Sequence, residues 1–305
     1  MLSPTHSSHS SNRRVPAFLL MLATLLSLLL AACGGSSTTT SSPGSSSGSS
    51  NSSSAPVKAD ITAPKNLIAS GTLTVGSDTT YTPMEFFDNQ KNDYTGFDID
   101  LIRNMGKRMG LNVKIQKTGF DTIFDDLSNK RFDLVISSVT VNPDRQKKFD
   151  FVKYFNAGES LLVEKGNPKK LKSVADLCGL NIGVQTGTVE KDDLDTANKA
   201  CTGKGKPAIK QTVLQSQTDV VQLLANRRVD ATYQDSPVTD YYNKINPGQF
   251  EVGGSVVNAA PYGIAVRKGD SEMLTAVQKA FEETKSDGTY SKLFETWGFS
   301  AAQKA

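Results

Sequence analysis

Gly96-Phe97-Asp98-Ile99-Asp100-Leu101-Ile102-Arg103-Asn104-Met105, followed after a short break by Val113-Lys114-Ile115, is the stretch from which the fold is read. Ile99, Leu101, Ile102 and Met105 give a helix over 98–109 one apolar face. Val113-Lys114-Ile115 is short and β-branched, and reads as a strand. Upstream, Leu73-Thr74-Val75-Gly76 reads as a buried strand. Downstream, 121–127 reads as a short helix and Phe132-Asp133-Leu134-Val135-Ile136 as the next strand. Strands alternating with helices predict a mostly parallel α/β lobe.

The pattern then restarts. After the extended run Glu159-Ser160-Leu161-Leu162-Val163, 174–177 reads as a short helix and Asn181-Ile182-Gly183-Val184 as a strand. Helix is expected within 188–197 and over 218–225, with strand at Val229-Asp230-Ala231-Thr232-Tyr233. Tyr262-Gly263-Ile264-Ala265-Val266 reads as a strand crossing back to the first lobe. The segments 271–285 and 289–297 read as helices, with Leu274, Val277, Phe281 and Leu293 packing on that lobe. Two lobes and two crossings enclose a cleft, the default place for a small ligand.

The N-terminal end carries an address. Arg13 and Arg14 precede an apolar run of 18 residues, Val15 to Ala32, that ends in Leu30-Ala31-Ala32-Cys33. A basic start, an apolar stretch and small residues describe an export signal. A retained anchor is the alternative, because 18 residues is the short limit for a span. Pro16, Thr24 and Ser27 interrupt the run. Its end resembles the lipobox of bacterial lipoproteins, which implies cleavage before Cys33 and acylation of its thiol. Gly34 to about Ser54 is almost pure Gly, Ser and Thr, the composition of a flexible tether. The expected organisation is a signal peptide over 1–32, a lipidated cysteine and tether over 33–65, and a first part of lobe one over 66–157. Lobe two then covers 158–258, and 259–305 returns to lobe one.

Composition excludes several chemistries. Both histidines, His6 and His9, fall in the removed segment. A Ser-His-Asp triad, a Cys-His pair and histidine-ligated zinc are therefore not expected, and no metal or cofactor is called for. The chain has 34 basic and 31 acidic side chains and no polybasic tract in the folded region. Nucleic acid is thus not an expected partner. Cys178 and Cys201 form an even pair in an oxidising compartment. They read as a disulfide, with two isolated buried thiols as the alternative. A catalytic CxxC is absent.

Four separated motifs carry a further resemblance. They are Gly76-Ser77-Asp78-Thr79-Thr80-Tyr81-Thr82-Pro83-Met84-Glu85-Phe86 and Gly96-Phe97-Asp98-Ile99-Asp100-Leu101. The third is Asp133-Leu134-Val135-Ile136-Ser137-Ser138-Val139-Thr140, running on to Arg145. The fourth joins Gly183-Val184-Gln185-Thr186-Gly187-Thr188 to Asp235-Ser236-Pro237. In order and spacing they resemble bacterial extracellular solute-binding proteins of family 3, the polar amino-acid-binding lipoproteins of ABC importers. That resemblance implies a periplasmic-binding-protein type II fold, with two α/β lobes joined by two crossover strands around a ligand cleft.

The resemblance also assigns roles. Arg145 matches the arginine that binds the ligand α-carboxylate; a guanidinium fork meets two carboxylate oxygens with two charge-assisted bonds. Taken alone it reads as a surface arginine beside Asp144, Lys147 and Lys148. Asp235 matches the acid that accepts the α-ammonium, and alone reads as a cap before Pro237. Ser137, Ser138 and Thr140 match the run that contacts the ligand backbone. Thr188 matches a hydroxyl at a helix start, where N–H groups face an anion; Val189 follows where many relatives carry a second hydroxyl. Tyr81 matches the aromatic that stacks on the ligand side chain. Phe120 matches the opposing apolar wall, or else packs in the core. Asp78 is the main specificity candidate, with Glu85 beside it, and a hinge or cap is the alternative for both.

The implied function is the substrate-binding component of an ABC-type importer. It captures a polar or basic amino acid by cleft closure and delivers it to a permease with its ATPase subunits, without chemistry of its own. A stand-alone sensor or scavenger is the alternative, and a dehydratase-like enzyme acting on cyclohexadienyl or arogenate substrates is a remoter one. A monomer suffices, because one chain makes the whole cleft. The protein is expected outside the cytoplasm, lipid-anchored to the outer face of the cell membrane.

Overall fold

The computed structural model describes residues 59–305. The signal segment, Cys33 and the Gly/Ser-rich run lie outside the described residues. Lobe one opens with β1 (Thr72–Ser77) and a small antiparallel sheet of β2 (Thr80–Tyr81), β3 (Glu85–Asp88) and β4 (Asp93–Thr95). It continues through α1 (Phe97–Arg108), β5 (Asn112–Lys117), α2 (Ile123–Ser128), β6 (Leu134–Val135) and α3 (Pro143–Lys148). The chain leaves along β7 (Phe149–Glu164). Lobe two holds β8 (Asn181–Gln185), α4 (Val189–Gly203), β9 (Lys210–Leu214), α5 (Gln217–Ala225), β10 (Ala231–Asp235) and α6 (Ser236–Ile245). The return strand β11 (Phe250–Arg267) leads to α7 (Ser271–Ser286) and α8 (Thr289–Trp297).

One eight-stranded sheet runs through both lobes in the order β5-β1-β6-β11-β7-β10-β8-β9. Its flanks are parallel, β1 with β5 and β6, and β8 with β9 and β10. At the centre, β7 and β11 pair antiparallel and belong to both lobes. These are the two crossover strands. Their register breaks between Gly253 and Val257 and again between Val257 and Ala260. Gly254 there has φ +84°, and a Cβ on it would sit 1.9 Å from the Lys172 carbonyl oxygen, so only glycine fits. The two-lobed α/β architecture with paired crossovers is therefore present as read.

The apolar face of α1 works as its spacing predicts. Ile99, Leu101, Ile102 and Met105 are all fully buried, while Asp98 and Asp100 in the first turn and Lys107 and Arg108 in the last complement the helix dipole. Phe97 anchors an aromatic cluster at the base of lobe one, with ring centres 5.0 Å from Phe294 and 5.4 Å from Phe155. Such offset and edge contacts each add about 1 kcal/mol to the burial itself. Cys178 and Cys201 are disulfide-bonded with Cα atoms 5.6 Å apart, tying the end of α4 to the segment before β8.

Residues ahead of 66 already pack against lobe one. Ile61 is buried and its N–H donates to the Arg108 carbonyl at 3.1 Å; the Lys65 N–H donates to Glu272 Oε1 at 3.0 Å. The end of the stretch read as tether therefore packs on α1 and α7. Other departures have plain causes. Only Glu190, Leu194 and Cys201 of α4 are buried, so its face is too sparse to reveal a helix reaching Gly203. The edge strand β9 is mostly polar and shows no apolar run. The helix α6 hides behind Ser236-Pro237, a pair that also suits a turn.

Candidate ligand-binding cleft

Where the lobes face one another, Tyr81, Phe120, Ser137, Ser138, Thr140, Arg145, Gln185, Thr188, Val189, Glu190 and Asp235 line a narrow, nearly closed cavity of about 10 Å³. Eight of the nine ligand-binding candidates are in that set. Asp78 is not. Gln185, Val189 and Glu190 were not singled out.

Arg145 is placed by its helix. Asn142 caps α3, its Oδ1 accepting the Arg145 N–H at 2.9 Å, and Pro143 takes the first helical position. The guanidinium is then fixed by its own acceptors. Nη1 donates to the Thr140 carbonyl at 2.8 Å and Nη2 to the Gly187 carbonyl across the cleft at 3.3 Å. Its carbon lies 5.6 Å from the Phe120 ring centre and 5.2 Å from that of Phe124. Phe120 thus packs in the small core of α2 and β6 and also forms one wall of the cavity. Burial lowers the arginine from its ordinary value, opposed by Glu190 and Asp235, and the group remains a cation.

Asp235 ends β10 on the opposite lobe. It occupies the N-cap position of α6 in an extended conformation, yet its side chain makes no capping bond. Instead its Oδ2 accepts the Tyr81 hydroxyl at 2.8 Å, and its own N–H donates to the Tyr81 oxygen at 3.2 Å. Burial pushes its carboxyl up to about 6, against the opposing pull of the Tyr81 hydrogen bond. A cap that does not cap leaves the carboxyl turned from its own helix towards Tyr81 and the cavity.

The serine run is held from behind. Ser137 Oγ donates to Glu85 Oε1 at 2.9 Å and Ser138 Oγ to Glu85 Oε2 at 3.1 Å. The Ser138 N–H and the Tyr154 hydroxyl both donate to Asp98 Oδ2, at 2.9 and 2.6 Å. These bonds stabilise Ser138 at φ 49°, a left-handed conformation that serine rarely adopts. Glu85 is fully buried behind the serines and is not among the residues that line the cavity, which fits the structural alternative for it. Burial and the nearby Asp98 push its carboxyl well above the usual range, and burial pushes Asp98 up to about 7.

Asp78 joins the lobes. Its Oδ2 accepts the Gln185 Nε2 at 2.6 Å and the Thr80 hydroxyl at 2.9 Å, and burial raises its carboxyl to about 6. Thr80 continues the seam, accepting the Gln217 N–H at 3.1 Å and, through its carbonyl, the Thr218 hydroxyl at 2.9 Å. Thr188 caps α4, accepting the Lys191 N–H at 3.2 Å and donating to the Gln185 carbonyl at 2.9 Å. Its hydroxyl is thereby engaged, which leaves the unpaired N–H groups of the first turn as the donors on that side. Gly187 lets this turn approach lobe one; a Cβ there would lie 2.8 Å from the Asp121 Cα, and φ is +77°.

Two polar residues escaped the sequence reading. Gln185 ends a strand and had the right address, since open α/β sheets bind ligands at strand carboxyl ends. Glu190 looks like an ordinary first-turn acid, and nothing in its neighbours signals that it is buried.

A two-lobed α/β protein whose hinge strands flank a small polar cavity, with an arginine on one lobe and an acid on the other, is a solute-binding protein. The chain belongs to the bacterial extracellular solute-binding proteins, family 3, whose profile matches residues 73–300. It is 32% identical over 229 residues to the L-cystine-binding protein TcyA of Bacillus subtilis (strain 168), covering 74% of this chain and 81% of that one. It is 33% identical over 230 residues to the lysine/arginine/ornithine-binding periplasmic protein of Escherichia coli (strain K12), covering 73% and 85%. Among solved structures it is similar to an ancestral arginine-binding protein bound to arginine, with TM-score 0.69 and 38% identity over 74% of this chain and 98% of that one.

Proposed function

We propose that this protein is the substrate-binding component of an ABC-type import system and that its cleft captures a free polar or basic amino acid. One observation carries the reading: Arg145 and Asp235, opposite in charge and supplied by opposite lobes, line the same cavity. A zwitterion satisfies both only when the lobes meet, so binding favours closure. The carboxylate lies on the Arg145 fork and the first-turn amides of α4, the ammonium on Asp235, and the side chain between Tyr81 and Phe120. Ser138 and Thr140 frame the ligand backbone, with Ser137 behind them. Asp78, one hydrogen bond beyond Gln185, sets the preference at the far end.

Relatives named for cystine and for lysine, arginine and ornithine support a polar or basic ligand. No bond is made or broken. The protein works outside the cytoplasm. Acylated Cys33 and the Gly/Ser-rich tether hold it, as a monomer, beside its permease at the membrane surface. Loss of this chain is expected to abolish uptake of the labelled ligand amino acid while the permease is still made; undiminished uptake would point to a sensor or scavenger. Cys33→Ser is expected to move the protein from the membrane fraction into the soluble fraction without altering binding.

A further inference from the structure

The cavity holds more acid than a zwitterion needs. Glu190 lines it together with Arg145 and Asp235, is only 2% exposed, and leaves its buried Oε1 without a hydrogen-bond partner among the described residues. The zwitterion's carboxylate matches Arg145 and its ammonium matches Asp235. Glu190 then stands over as a second carboxyl with no cation of its own.

We infer that Glu190 is a second carboxyl of the ammonium end of the cleft, sharing a proton with Asp235 that is released when the cationic amino group of the ligand enters. The inference rests on the amino-acid reading above. The balance is simple: the ammonium enters, one proton leaves the carboxyl pair for solvent, and no covalent bond to the ligand changes. The charge at the ammonium end is then the same before and after capture, which suits a low-dielectric cavity where two unshielded carboxylates repel.

The groups around Glu190 favour this. The charged and titratable groups that act on it electrostatically are Asp235 and Tyr233 on β10, Glu159 on β7, Tyr81 on β2 and Tyr262 on β11, and the single cation among them is Arg145 on α3. Burial, then Asp235, then Glu159 push its carboxyl well above the usual range, while the backbone bond at the start of α4 and Arg145 oppose them. An incoming ammonium reverses the balance by adding a second cation.

Two measurements test the inference, one without ligand. In the infrared spectrum of the unliganded protein at pH 7, the wild type is expected to show the C=O absorption of a buried protonated carboxyl that Glu190→Gln lacks. Identical spectra would overturn the inference. In calorimetry with L-arginine, run in buffers of different ionisation enthalpy, the wild type is expected to release up to about one proton. Glu190→Gln is expected to release less, and Glu190→Asp to restore the release. The two affinity curves should converge near pH 5.5 and separate towards pH 8, the wild type gaining up to about tenfold per pH unit relative to the glutamine variant. Parallel curves with equal proton counts would overturn the inference. If L-arginine and the other amino acids fail to bind at all, the ligand class of the preceding section fails, and the infrared comparison still decides Glu190.

Discussion

Arg145→Ala is the substitution with the most to say about the cleft. The side chain is half-buried between Phe120, Phe124 and the Gly187 carbonyl, and its Nη1 bond to Thr140 fixes the plane of the fork. Removing it leaves a ligand carboxylate facing the cavity without its cation. Truncating one partner of a desolvated, hydrogen-bonded charge pair costs about 2–5 kcal/mol. The engagement by two lobes argues for the upper half of that range. At about 1.4 kcal/mol per decade, the dissociation constant should rise by roughly 300-fold or more. The fold should lose far less. Two hydrogen bonds to carbonyls and two aromatic contacts at a partly solvated site are together worth about 1–2 kcal/mol, or roughly 2–8 °C in melting temperature for a domain this size. Calorimetry with the preferred amino acid, paired with a thermal melt, reads both. Arg145→Lys keeps the charge without the fork and should fall between the two. A folded Arg145→Ala protein that binds within threefold or so of wild type would refute the carboxylate assignment.

Other outcomes follow from the same geometry. Asp235 must be ionised to accept an ammonium, and its carboxyl stands at about 6; affinity should therefore fall as pH drops through 6, by up to about tenfold per unit, and a flat profile between pH 4.5 and 6.5 would argue against it. Asp78→Asn should reduce the preference for lysine or arginine over glutamine by roughly tenfold, about 1.4 kcal/mol; an unchanged ranking would leave Asp78 as a contact between lobes only. Replacing Cys178 and Cys201 together by serine should lower stability by about 3 kcal/mol with little change in affinity, since the bridge lies in the core of lobe two away from the cavity. A variant as stable as wild type would mean that the bridge constrains little.

Much of this architecture is legible in the sequence because local and global signals agree. Ile99, Leu101, Ile102 and Met105 fall on one face of α1, and α8 spans the segment read as a helix, 289–297. Segments without that agreement were missed. The sheet of β2, β3 and β4 is made of two- to four-residue strands, too short for any period to show, although Tyr81 stands on it. The candidate site was legible where a residue type carries its own chemistry. Arg145 and Asp235 fit a zwitterion wherever they stand, and the fold brings them to one cavity. Burial was not legible. Asp78 and Glu85 look alike in sequence, yet Glu85 supports the serines from behind while Asp78 bonds across the lobes. Glu190 looks like surface and is not.

The central claim is that this cleft recognises a free amino acid. The most direct test is calorimetric titration of the purified, ligand-stripped protein with the twenty amino acids, ornithine, citrulline and cystine. The expected result is tight one-to-one binding of a polar or basic amino acid, lost in Arg145→Ala. A folded protein that binds none of them would contradict the account.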